Sequence, residues 1–97
     1  MSDQPEQTPV LDLLATMTAA SVGASSLDPE TLMLVRLGAL VAVDAPAASY
    51  LLNLEAAGAT GVQAEQVQGV LAAVAPIVGT SRIVSATGKI MEALGVG

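Results

Sequence analysis

Tyr50 is the only aromatic residue among 97, although 53% of the chain is hydrophobic. The apolar content is therefore mostly alanine, valine and leucine, and small side chains bury little area each. A core of this kind requires helices that approach closely and bury their faces on several sides. A domain of this length buries only about two-thirds of the surface of its unfolded chain. Self-association is the direct way to bury more. The charged fraction of 12% points the same way, because a monomeric helical bundle needs more charge to cover its outer faces.

Charge and residue usage exclude several functions. The formal net charge is −6, and the only cations are Arg36, Arg82 and Lys89. Nucleic-acid phosphates and anionic lipid surfaces would both repel such a chain. With no cysteine and no histidine, disulfides, thiolate chemistry and the ordinary zinc, copper and haem ligand sets are absent. No cofactor is expected, and only a carboxylate site for a hard cation would remain. The segment Met1 to Pro9 is polar and acidic, unlike a secretory signal, so a cytoplasmic protein is expected. The most apolar stretch, Gly69 to Ser81, is too short to span a bilayer and contains Pro76, so no membrane span is expected.

Residues 1–8 (MSDQPEQT) lack apolar periodicity and read as a mobile arm before a single domain over residues 9–97. Thr8 is positioned to cap a first helix, with Pro9 in its first turn. Val10, Leu13, Leu14 and Met17 follow at helical spacing to about Ala20, and Gly23 to Ser26 breaks the pattern. Asp28-Pro29-Glu30 is a strong helix start. The second helix, running to about Val43, carries Leu32, Leu34, Val35, Leu37, Leu40 and Val41, with Arg36 as its only charge after Glu30. A helix apolar nearly all round belongs at the centre of the fold.

Asp44-Ala45-Pro46 repeats the start signal. It predicts a third helix that continues through Tyr50, Leu51 and Leu54 to a stop near Gly58, forming a hairpin with the second. A fourth helix spans about Gln63 to Ala75, carrying Val67, Val70, Leu71 and Val74, with Pro76 and Gly79 ending it. Thr80 or Ser81 caps a fifth, with Ile83, Thr87, Ile90 and Leu94 on one side and Gly95 as its stop. Gly38, Gly69 and Gly88 lie within helices, where each costs about 1 kcal/mol relative to alanine. Close helix–helix approach would offset that cost. The expectation is an all-α domain, a small orthogonal bundle of about five helices.

The order LDPETLMLVRLGALVAV, a short helix, then GVQAEQVQGVLAAVAPIVGTSR resembles the carboxymuconolactone decarboxylase and alkylhydroperoxidase D-like family. The matching parts are Leu27-Asp28-Pro29, Gly61 onward, and Ala75-Pro76-Ile77-Val78-Gly79 with Arg82, and the likeness covers roughly residues 27–94. It implies an all-helical, alkylhydroperoxidase D-like fold assembled as a homo-oligomer, a trimer or hexamer, with sites beside subunit contacts. The family's Cys-x-x-Cys and following histidine fall here on Ala45, Ala48 and Leu52, or in the alternative register on Pro46, Ser49 and Asn53. The position of its proton-relaying glutamate falls on Met33. Peroxide reduction needs a low-pKa thiolate and a resolving thiol, and decarboxylation needs a general acid or base. Neither activity transfers to this chain.

Ser49, Tyr50 and Asn53 form the only polar cluster where that motif would lie, and Ser49 and Asn53 share a helix face. They could line a small-molecule pocket, with Arg36 binding an anion. A serine nucleophile would need a base, and no histidine is available. The plainer readings are an internal hydrogen-bond network for Ser49 and Asn53, an ion pair for Arg36, and a packed Tyr50 with its hydroxyl hydrogen-bonded. Arg82 could bind an anion, but pairing with a carboxylate is the simpler expectation. Asp28, Glu30 and Asp44 are accounted for as caps or dipole partners rather than metal ligands. Met17, Met33 and Met91 are expected to be packing residues. Two functions follow. The first is a non-enzymatic, homo-oligomeric scaffold or interaction module without thiol peroxidase activity. The alternative is an enzyme or small-molecule binder using Arg36, Ser49, Tyr50 and Asn53 at a subunit boundary. A peripheral membrane or partner-helix binder is a third possibility that would need an exposed apolar patch.

Overall fold

The computed structural model describes residues 8–95, and all regular structure within them is helical. The five helices are α1 (Pro9–Ala24), α2 (Pro29–Ala42), α3 (Ala47–Ala59), α4 (Ala64–Val78) and α5 (Thr80–Leu94). The expected arm, apart from Thr8, lies outside the described residues.

α2 is the central helix. It begins as its sequence requires, with the Asp28 carboxylate accepting from the Thr31 backbone N–H at 2.8 Å and from the Thr31 hydroxyl at 3.1 Å. This satisfies one of the helix's orphan donors. α2 packs against α3, as the expected hairpin, and against α4 and α5. Leu37 and Val41 enter the main core with Tyr50, Leu71, Ala86 and Ile90, while Leu32 and Met33 form a second cluster with Ala57. Val35 faces outward. The first turns of α2 and α4 are joined by a hydrogen bond from Gln66 Nε2 to Glu30. Gln66 Oε1 also accepts from the Gln63 backbone N–H at 2.8 Å, holding the start of α4.

Several boundaries differ from the sequence reading. α1 runs through Gly23 to Ala24, because nothing there demands a left-handed residue. Thr8 precedes the helix without capping it; its hydroxyl instead donates to Asp12 Oδ2 at 3.4 Å. Asp44 is not a cap either. It stands at a left-handed φ of 55° between α2 and α3, and Pro46 occupies the N-cap position. Its carboxylate reaches across to α5, accepting from the Ser85 hydroxyl at 2.7 Å and from Lys89 Nζ at 3.0 Å.

α3 passes through Gly58, and the turn is made at Gly61, with φ of 95°. Pro76 lies inside α4, which continues to Val78. Gly79, with φ of 87°, separates α4 from α5, so Thr80 is helical rather than a cap. Gly95 ends α5 in the left-handed conformation, as expected. A Cβ at Gly38 would meet Val74 Cγ1 at 3.4 Å and Val70 Cγ1 at 3.7 Å, so α2 and α4 do approach closely there. Gly69 and Gly88 face open space. No close approach within the chain explains those two.

α1 is unlike the other helices because none of its residues is buried. Val10, Leu11, Leu13, Leu14, Met17 and Val22 are 49–65% exposed. Among the described residues, its one polar link to the other helices runs through Arg36, whose Nη2 donates to the Ser21 hydroxyl at 2.9 Å and the Thr18 carbonyl at 3.4 Å. Among the described residues, no helix is long and apolar enough to cross a membrane.

Candidate functional site

A cleft of about 510 Å³ opens between α1, α2 and α3. α2 supplies Met33, Arg36 and Leu40, α3 supplies Ser49, Leu52 and Asn53, and α1 closes one side with Met17, Thr18 and Ser21. The geometry follows from helical spacing. Met33, Arg36 and Leu40 recur at intervals of three and four, and Leu52 and Asn53 lie three and four residues after Ser49, so each set occupies one face of its helix. Three of the four residues singled out in the sequence, Arg36, Ser49 and Asn53, therefore line one cavity.

Tyr50 is not among its lining residues. The side chain is 0% exposed and belongs to the main core with Leu37 and Val41. One residue along a helix turns the side chain by about 100°, enough to move Tyr50 from the cleft face to the core face. Its hydroxyl is buried without a hydrogen-bond partner among the described residues, in place of the expected bonded phenol. Burial pushes its pKa above the ordinary tyrosine value, and the nearby negative charge of Asp44 adds to the shift.

The polar groups of the cleft do not form the expected internal network. Asn53 Oδ1 is buried with no partner among the described residues, and no hydrogen bond joins it to Ser49. Arg36 is half-buried, and its two acceptors are neutral groups of α1 rather than a carboxylate. The single ion pair among the described residues is Lys89 with Asp44. Arg82 is exposed and makes no ion pair there; the Asp44 carboxyl is held below the ordinary value first by the Ser85 hydroxyl and then by Lys89, with the Arg82 charge a smaller contribution. Met33 is buried packing, whereas Met17 and Met91 are substantially exposed and Met17 lines the cleft.

The remaining positions of the expected motif carry no reactive group. Ala45 is buried in the core, Pro46 caps α3 and Ala48 is exposed. Among the described residues, no three acidic side chains converge as a cation site. Chemically the cleft offers one guanidinium, the Asn53 amide and the hydroxyls of Thr18, Ser21 and Ser49 in otherwise apolar walls. It has no imidazole, thiol or carboxylate to move a proton. Met17 was missed as a cleft residue because its spacing fits a core-facing stripe equally well.

Comparison of the chain with known protein families, with curated proteins and with solved structures returns no match.

Proposed function

We propose that this chain is a non-enzymatic, carboxymuconolactone decarboxylase-like protein that self-associates and acts as a scaffold or interaction module. The observation that carries the reading is α1, with six large apolar side chains 49–65% exposed and no buried residue. A helix apolar on most sides is stable when surrounded, and a second copy of the same chain supplies matching apolar surface. Exposed side chains of this size contribute on the order of 100 Å² each. A symmetric contact through α1 would then bury on the order of 1,200 Å², at the lower edge of stable interfaces. The family assignment rests on the ordered segments at Leu27-Asp28-Pro29, Gly61 and Ala75 to Arg82, and an all-helical chain fits it.

Size-exclusion chromatography with light scattering tests this proposal. The native chain should elute at a multiple of its 9.6 kDa. Replacing Leu11 and Leu14 by glutamate should give monomers with unchanged helical circular dichroism, because neither side chain is packed in the bundle. A native chain that remains monomeric at tens of micromolar sinks the reading.

A second reading, of the cleft as a small-molecule site, is favoured by the convergence of Arg36, Ser49 and Asn53 on one cavity. Its volume lies within the range of about 300–1,000 Å³ common for ligand pockets. Binding is the activity its groups support, since no base stands near Ser49 to activate it.

A further inference from the structure

We infer that the cleft between α1, α2 and α3 takes a small amphipathic carboxylate, with Arg36 as its anchor. This rests on the reading of the cleft as a binding site and names the ligand class. Arg36 is the one cation of the described residues that lines this cleft. Lys89 is committed to Asp44, and Arg82 lies in the exposed first turn of α5. In a chain of net charge −6, a guanidinium that lines a cleft and has no carboxylate partner among the described residues is free to meet an anion, its two bonds to α1 being solvent-exposed.

The guanidinium has five N–H donors in a planar fork. Only Nη2 is engaged, with two neutral acceptors. The other donors match the two oxygens of a carboxylate, and such charge-assisted bonds are about twice as strong as neutral ones. Beyond the guanidinium the large apolar side chains of the walls are Met17, Met33, Leu40 and Leu52. Two of the four are methionines, whose flexible thioethers adapt to ligands of differing shape. These surfaces suit a short alkyl or alicyclic body. Asn53 Oδ1, buried and unpartnered, would accept from a hydroxyl or amide N–H on that body. The absence of any carboxylate in the lining removes the repulsion that an anion would otherwise meet.

The test is a titration of the full chain, followed by ¹H–¹⁵N correlation spectra, with octanoate, 1-octanol and octylammonium as probes. Octanoate should shift amides of residues 33–40 and 49–56 saturably and bind about tenfold or more tighter than octanol. Octylammonium should not bind. Arg36→Met should weaken octanoate by about tenfold or more while leaving octanol unchanged. Arg82→Met, which removes an exposed cation outside the cleft, should retain octanoate binding within about twofold.

Equal binding of octanol and octanoate, with shifts in the same residues, overturns the carboxylate inference and leaves the cleft as an apolar site. Absence of shifts in the cleft with every probe overturns both the inference and the binding-site reading. The comparison of probes on the native chain needs no variant, so it decides even where Arg36→Met is poorly folded.

Discussion

Two aspartates do most of the polar work at the level of single residues, and both should be visible in acid. Hydrogen bonds from Thr31 lower the Asp28 pKa, and those from Ser85 and Lys89 lower that of Asp44, each below an ordinary value of 3.8. A carboxyl depressed in the folded state contributes stability that is present above its unfolded pKa and is lost as the pH falls through its folded pKa. The melting temperature should therefore decline as pH drops below about 4, more gently in Asp44→Asn than in the native chain. Asparagine tolerates the left-handed conformation required at φ of 55°, so this variant removes the charge without straining the corner. Asp28→Ala should lower the melting temperature by a few degrees at neutral pH, as expected for loss of a helix cap. The cap at Asp28 was legible because Asp-Pro-Glu followed by an apolar run is a local signal. The role of Asp44 was not. The same Asp-x-Pro pattern precedes α3, but its partners, Ser85 and Lys89, lie about forty residues away and belong to tertiary structure.

Five helices in their order, with α2 at the centre, were readable from apolar spacing, while their ends were less so. Gly23, Gly58 and Pro76 are punctuation marks in sequence that the helices pass through, since tertiary packing and the cost of ending a helix outweigh a local preference. The inward face of α5 was misread in the same way. Thr87 and Leu94 fit the stripe by spacing, yet both are exposed and Ala86 fills the core instead. Ala86 shares the main cluster with Tyr50, and a small residue there takes up little of the space the ring needs. The candidate site was legible in part. Helical spacing joined Ser49 to Asn53, but only the fold could bring Arg36 beside them and exclude Tyr50. The glycines give a test at this scale. Gly69→Ala and Gly88→Ala meet nothing within 4 Å, so each should raise the stability of the monomeric bundle by about 0.5–1 kcal/mol in urea titrations. If either lowers the assembly's stability instead, that glycine lies against another copy.

At the scale of the whole molecule, the bundle of α2 to α5 holds all the buried core residues, and α1 remains outside it. Self-association should then make stability depend on protein concentration. The native melting temperature should rise with concentration over the micromolar range, and that of the Leu11→Glu, Leu14→Glu variant should not. A further consequence comes from Tyr50, fully enclosed and alone of its kind. Every photon this chain absorbs near 275 nm, to within its weak peptide background, is taken up by one ring at the centre of the core. Near-ultraviolet dichroism and tyrosine emission therefore report loosening of the interior without contribution from the surface. With no cysteine to mask, a single thiol placed at any exposed position becomes an equally unambiguous reporter of the outside.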